Sequence, residues 1–266
     1  MSAKRNGQRK GPSVLPKTPP RSYVICTTPR SGSTLLCKML AATGCAGNPG
    51  SHFHVPSLER WLAVYGLDDR RFGSRQEALA AVFQAAIPRG MAASDVFGLR
   101  LQRKSFDFFM EQLAVLAPGE MGDVDRIEQV FGKTTFVYLS RTDRLDQAIS
   151  LLRAEQSGLW HRNSDGSELE RTAPPTPPTY DATAIARHMS ELAAFDADWA
   201  QWFAQQEIAP LRITYDEVSK DPRGVLAQVL SAIGCDPGVA NAVGPQTAKL
   251  ADAESLRWKQ RFLRQR

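Results

Sequence analysis

Five consecutive residues near the start of the chain have the backbone and side chains to bind an anion: Arg30, Ser31, Gly32, Ser33 and Thr34. They lie between an apolar run, 23–26, that predicts a strand and another, 35–40, that predicts a helix. A turn in this position binds anions because the first N–H groups of the helix have no partners within it. Gly32 lets the backbone close around a phosphate-sized group, and the neighbouring side chains add donors.

This loop differs in one residue from the loop that binds nucleoside triphosphates in many kinases. That loop ends in Gly-Lys-Ser or Gly-Lys-Thr, and its Lys reaches the β- and γ-phosphates. Ser33 stands where the Lys would be. The loop therefore predicts binding of linked anionic groups, without the Lys and magnesium that cleave a γ-phosphate.

The positive charge of the chain is concentrated at its start. The 266 residues include 33 basic and 28 acidic side chains, a formal net charge of +5. Residues 1–21 contain six of the basic residues and no acidic one, so 27 basic and 28 acidic residues are left for 22–266. With four prolines and little to bury, residues 1–21 predict a disordered basic tail. The remainder gives no indication of nucleic-acid binding.

Residues 22–266 predict a single α/β domain. Besides the first strand, strands are expected at 95–102, 134–139 and 211–214, and the main helices at 76–86, 105–117, 145–155, 183–206 and 223–233. This alternation is typical of a mostly parallel, P-loop-like sheet with helices on both faces. Pro88 is expected to end the helix that begins at Gln76. Residues 157–181 are polar and rich in proline, and they predict a loop or lid.

Composition also bears on compartment and metal content. No apolar run approaches the ~18 residues that a membrane span requires, and the basic tail has no apolar signal region. The four cysteines show no C-x-x-C spacing, which favours free thiols in a reducing cytoplasm over a zinc site. We expect a cytoplasmic protein without a metal. Peripheral membrane contact through the substrate and a homodimer stay open.

A second anion-binding pair is predicted at the end of another strand. Arg141 follows the strand at 134–139, and Ser150 lies on the next helix. Ligands of such sheets bind beyond the carboxyl ends of the strands, so these side chains can reach the same ligand as the first loop. Arg offers a bidentate fork to phosphate, and Ser offers a hydroxyl donor.

Together these segments resemble a known family. Pro-Arg-Ser-Gly-Ser-Thr at 29–34 resembles the loop with which sulfotransferases bind 3′-phosphoadenosine 5′-phosphosulfate (PAPS). The turn at 43–49, the helix start Gln-Ala-Ile-Ser at 147–150 and the Ser-x-x-Trp-x-x-Arg-Phe tail at 255–262 are similar to the bacterial Stf0-type group. That group includes trehalose, lipopolysaccharide and Nod-factor sulfotransferases, and the resemblance extends from Tyr23 to Phe262.

The resemblance implies transfer of a sulfuryl group from PAPS to a hydroxyl of a carbohydrate or glycolipid. It places the 5′-phosphosulfate at residues 30–34 and the 3′-phosphate at Arg141 and Ser150. It places Trp258 against the adenine and Arg261 near the 3′-phosphate. Arg100 stands near the position of a family Lys and, with Arg30, is expected to stabilise the group in transfer.

The general base is where this sequence departs from the group. In the trehalose-modifying member, the segment after the Gly-x-Pro turn supplies a Glu for this role, whereas residues 47–54 here contain no carboxylate. His52 is the local residue best able to take a proton near neutral pH. His54 is the second choice, and Glu59 is a more distant carboxylate.

Two alternatives stay open from the sequence. One is a P-loop-type kinase of a small metabolite, although Ser33 and Arg141 stand where a kinase would have a phosphate-binding Lys and a magnesium-binding acid. The other is a catalytically impaired protein that binds PAPS or its product 3′,5′-ADP, which the absent Glu leaves open.

Overall fold

The computed structural model describes residues 15–163, 165–244 and 252–265. Its strands are β1 (Arg21–Thr27), β2 (Val96–Gln102), β3 (Thr134–Ser140), β4 (Leu159–Arg162), β5 (Glu168–Arg171) and β6 (Leu211–Thr214). Its α-helices are α1 (Ser33–Ala42), α2 (Leu58–Tyr65), α3 (Arg75–Met91), α4 (Arg103–Leu116), α5 (Asp123–Phe131), α6 (Arg144–Ser157), α7 (Ala182–Gln205), α8 (Tyr215–Lys220), α9 (Pro222–Ala232) and α10 (Ala253–Arg264).

The central sheet has the strand order β2-β1-β3-β6, and every neighbouring pair is parallel. Strand β1 is buried on both faces because helices cover both sides of the sheet. Val24 and Cys26 pack into one apolar core, whereas Tyr23 and Ile25 pack into the other. This confirms the predicted mostly parallel α/β sheet with helices on both faces. It also places the ends of β1, β2 and β3 side by side.

Two segments differ from the sequence prediction. Helix α3 does not end at Pro88 but continues to Met91. Pro88 lacks an N–H, yet Ile87 and Gly90 in the same turn are buried, and Gly90 lies so close to Phe97 that an added Cβ would be 2.4 Å from its ring. This packing offsets the missing hydrogen bond. The predicted loop at 157–181 contains the antiparallel hairpin β4–β5.

The described chain includes residues that composition assigned to the tail. Arg21, assigned to the tail, is the first residue of β1 and donates hydrogen bonds to Asp95 and to the carbonyl of Gly234, both at 2.6 Å. Leu15 packs against the apolar core. The remaining tail residues, 1–14, lie outside the described part of the chain. No helix in the described ranges is long and apolar enough to cross a membrane.

Candidate active site

The predicted anion loop joins β1 to α1. Arg30 and Gly32 both have left-handed backbones, with φ values of 62° and 85°. A Cβ added to Gly32 would lie 2.7 Å from the Tyr215 ring, so only glycine fits there without a shift. Gly32 is also the N-cap of α1 and has no side chain to cap it, and the first turn contains no acid. The helix therefore presents its first N–H groups for an anion.

A cavity of about 990 Å³ opens above this loop. Seven predicted site residues line it: Arg30, Gly32, Ser33, Thr34, Arg100, Arg141 and Ser150. Among the described residues that line it, seven are Arg or Lys, and three are carboxylates: Asp146, Glu170 and Asp252. This excess of positive charge suits a ligand with several negative groups.

Arg30, Arg141 and Ser150 meet at one end of the cavity. The Arg30 Nε donates to Ser150 Oγ at 3.0 Å, and an Nη of Arg141 donates to the Arg30 carbonyl at 3.3 Å. The Arg141 guanidinium lies 4.3 Å from the centre of the Tyr215 ring, and its buried Nε has no hydrogen-bond partner in the described protein. Burial and the charge of Arg141 lower the pKa of Arg30 to about 10. Two neighbouring guanidiniums can bind a phosphate through charge-assisted hydrogen bonds.

Arg100 occupies the other side of the loop. Strand β2 lies parallel to β1, which brings its end beside the anion loop. The Arg100 Nε donates to Ser51 Oγ at 2.9 Å, and an Nη donates to Thr34 Oγ1 at 2.8 Å. The guanidinium is thus fixed at the start of α1, on the side opposite Arg141.

Ser31 and His52 do not line the cavity. The Ser31 hydroxyl is buried, 2.5 Å from Thr27 Oγ1. The His52 ring lies 3.2 Å from the Asn48 carbonyl and stacks on Phe97. Burial is the main cause that lowers its pKa.

Two residues further on, His54 does line the cavity. Burial, with Lys104 and Arg100 nearby, lowers its pKa to about 4. The buried Phe53 between the two histidines anchors the turn in the aromatic core, and this fixes which histidine reaches the cavity.

The C-terminal helix also presents a different face from the predicted one. Trp258 is 4% exposed, and its indole N–H donates to Glu254 at 2.7 Å. Arg261 stacks on Tyr180 and does not line the cavity. Lys259 does line it and binds Asp143 at 2.5 Å, which raises the pKa of Lys259. Helix α10 buries Trp258 with the apolar residues of α6, and the helical period then turns Lys259 towards the ligand.

The hairpin β4–β5 supplies residues that the sequence analysis missed. His161 Nε2 lies 3.0 Å from Thr34 Oγ1 and 3.5 Å from a carboxylate oxygen of Glu170. Burial, with Arg30, Arg100 and Lys38 nearby, lowers the pKa of His161 to about 3. An available signal was the Asp-Gly dipeptide at 165–166, which is typical of a hairpin turn.

Known proteins match the chain over nearly its whole length. Trehalose 2-sulfotransferase from Mycobacterium tuberculosis (strain ATCC 35801 / TMC 107 / Erdman) is 31% identical over 262 residues, covering 91% of this chain and 94% of the relative. Trehalose 2-sulfotransferase from Mycolicibacterium smegmatis is 28% identical over 263 residues, covering 92% and 95%.

Among solved structures, the sulfotransferase domain of the Synechococcus PCC 7002 olefin synthase is 16% identical with a TM-score of 0.41, over 93% of this chain and 96% of that one. Residues 22–265 match the Stf0 sulphotransferase family. This match shows that the chain belongs to the Stf0 sulfotransferases.

Proposed function

We propose that this protein transfers a sulfuryl group from PAPS to a hydroxyl of a sugar. The observation that carries the proposal is the arrangement of Arg141 and Arg100 on opposite sides of an uncapped helix start, in a cavity rich in positive charge. PAPS has a phosphate at one end and a phosphosulfate at the other, and this arrangement offers donors to both. The sugar acceptor is supported by the trehalose 2-sulfotransferases that the chain resembles.

The residues at the Arg141 end would hold the 3′-phosphate. Arg141 lines the cavity, and Ser150 and Arg30 already contact each other beside it. These charge-assisted hydrogen bonds would fix the register of the donor in the cavity. Correct register matters because the sulfur must lie in line between the leaving phosphate and the acceptor oxygen.

The residues at the Arg100 end would stabilise the group in transfer. The N–H groups of the first turn of α1, with Ser33 and Thr34, face the place where the 5′-phosphosulfate would lie. Negative charge grows there on the oxygen that bridges phosphorus and sulfur as the bond breaks. Arg100 donates to Thr34, and its fixed charge would lower the cost of that developing charge.

Calorimetry and a transfer assay test the function together. We expect 3′,5′-ADP to bind the wild-type chain and Mg-ATP to bind at least tenfold more weakly. Labelled sulfate should move from PAPS to at least one member of a panel that includes trehalose, other free sugars and glycolipids. Tighter binding of Mg-ATP would favour the kinase alternative. Binding of 3′,5′-ADP without transfer to any acceptor would favour the non-catalytic alternative.

A further inference from the structure

The hairpin β4–β5 is fastened to the anion loop and α1 at three points. The carbonyl of Trp160 accepts a hydrogen bond from Arg30 at 2.5 Å, and His161 contacts Thr34. Lys38 on α1 donates to Asn163 at 3.2 Å. The hairpin is therefore a wall of the donor-binding loop, and its side chains have defined positions relative to the group in transfer.

His161 lies at the end of the loop where the sulfuryl group would be. Thr34 Oγ1 is 3.0 Å from His161 Nε2 and 2.8 Å from the Arg100 Nη. One hydroxyl thus joins the hairpin to the Arg that faces the group in transfer. The 3′-phosphate end of the cavity, at Arg141, lies on the other side of the loop.

Three carboxylates line the cavity among the described residues, and Glu170 is the one that has no Arg or Lys paired with it there. Asp146 lies 3.0 Å from Lys259, and Asp252 lies 2.5 Å from Arg153. Among the described residues, a carboxylate oxygen of Glu170 lies 3.5 Å from Nε2 of His161, and the Glu170 side chain is 53% exposed. It is also near enough to Arg30 to interact with it electrostatically.

We propose that Glu170 accepts the proton of the acceptor hydroxyl and that His161 positions its carboxylate. This inference rests on the proposed function. In the step, the acceptor oxygen forms a bond to sulfur, and its hydrogen moves to a carboxylate oxygen of Glu170. The bond between sulfur and the bridging oxygen of PAPS breaks, and that oxygen leaves with its electron pair on 3′,5′-ADP. Glu170 then releases the proton to water.

His161 is suited to positioning, whereas Glu170 is suited to proton transfer. Arg30, Arg100 and Lys38 surround His161, so a second proton on its ring would face three positive charges. The ring stays neutral at neutral pH, and its Nε2 is hydrogen-bonded to Thr34 Oγ1 at 3.0 Å and lies 3.5 Å from the Glu170 carboxylate. The Glu170 carboxylate is accessible from the cavity and has a second oxygen that can receive a proton.

The variant Glu170→Gln tests the proposal, with Glu168→Gln as its matched control. Glu168 lies on the same strand, is paired with Arg171, and does not line the cavity. We expect Glu170→Gln to lower kcat for sulfuryl transfer from PAPS about 100-fold or more, because a general base contributes about 10² to 10⁴ in rate. The Kd for 3′,5′-ADP should stay within about twofold, whereas Glu168→Gln should match the wild type in both.

Two further readouts separate chemistry from structure. The kcat of the wild type should fall on the acid side of its pH profile, and the residual kcat of Glu170→Gln should lose this fall. Arg30, with a pKa of about 10, stays charged over that range. His161→Ala should lower kcat about tenfold, and His161→Gln should recover part of it, because the Gln amide can place an N–H near the former Nε2.

Slow hydrolysis of PAPS, with water as acceptor, is measured in parallel so that the result does not depend on the sugar. Wild-type turnover by Glu170→Gln overturns the base assignment and leaves the proposed function intact. Weakened binding of 3′,5′-ADP by Glu170→Gln would show that the hairpin has a structural role, and this would also overturn the assignment of Glu170 as the base. A loss of turnover in a His54 variant, with wild-type turnover in Glu170→Gln, would also overturn the assignment of Glu170 as the base. A wild-type chain that neither binds 3′,5′-ADP nor transfers sulfate removes the function and the base together.

Discussion

Removal of the Arg141 guanidinium should weaken the binding of 3′,5′-ADP much more than that of 5′-AMP. In the structure this guanidinium donates one hydrogen bond of 3.3 Å to the Arg30 carbonyl and lies 3.9 Å from Asp146. Among the described residues, this is the one hydrogen bond that the guanidinium donates, and Arg141 lines the cavity, so N–H donors remain for a ligand. A charge-assisted hydrogen bond is worth about 1.5–3 kcal/mol. Arg141→Ala should therefore raise the Kd for 3′,5′-ADP about 10- to 150-fold.

The comparison with 5′-AMP makes this test specific. That nucleotide lacks the 3′-phosphate, so its Kd should change less than about threefold in Arg141→Ala. Arg187→Ala, which removes an exposed Arg on α7, is the control for a general loss of positive charge. Isothermal calorimetry at one fixed salt concentration measures all the affinities. An equal loss for both nucleotides would show that Arg141 does not distinguish the 3′-phosphate, and an unchanged Kd for 3′,5′-ADP would remove it from the site.

Three other predictions concern stability. Gly32→Ala should destabilise the fold by at least about 1–2 kcal/mol, because this is the cost of a left-handed backbone for alanine. The new methyl group also clashes with Tyr215, so a Gly32→Ala, Tyr215→Ala double variant should partly relieve that clash. Urea unfolding measures the stability of both variants. His54 and His161 have folded-state pKa values of about 4 and about 3, below the ordinary value of 6.5, so the unfolded chain binds more protons than the folded chain near pH 6. The urea concentration at the unfolding midpoint should therefore decrease when the pH is lowered from 7.5 to 5.5. A midpoint that does not change with pH would contradict these pKa values. The hydrogen bond from Arg153 is the main cause that lowers the pKa of Asp252. The ionised Asp252 therefore stabilises the fold above the unfolded pKa near 3.8, and this stabilisation declines as the pH falls below it. The difference in thermal unfolding midpoint between the wild type and Asp252→Asn should become smaller from pH 7 towards pH 3.

The sequence sufficed for the parts of the site that follow directly from a strand, a loop and a helix. Residues 30–34 begin three residues after the end of β1, and Arg141 directly follows β3. The local pattern and the geometry of parallel sheets therefore placed them together. Strand β2 and helix α6 were predicted for the same reason, and they carry Arg100 and Ser150. Their detailed roles stay predictions until they are measured.

The parts that sequence did not reveal depend on which face of a segment meets the core. His52 and His54 differ only in the direction in which a turn points, and the packing of Phe53 decides that direction. Trp258 is turned inward by apolar partners on α6, more than 100 residues away in the chain. In the described part of the chain, the two four-residue strands of the hairpin pair with each other and not with the central sheet. The hairpin becomes part of the candidate site through the contact of His161 with Thr34, which lies 127 residues earlier.

In the proposed function, the central sheet would set the distance between the two groups that hold the ends of the donor. Since neighbouring strands lie about 4.8 Å apart, the backbones at the ends of β2 and β3 are held about 10 Å from each other across the central strand. Backbone hydrogen bonds set this distance, so exchange of surface residues leaves it intact. The hairpin stands outside that framework. Redesign of the hairpin could therefore change which alcohol is sulfated, while the spacing of β2 and β3, which would hold the two ends of the nucleotide, stays the same.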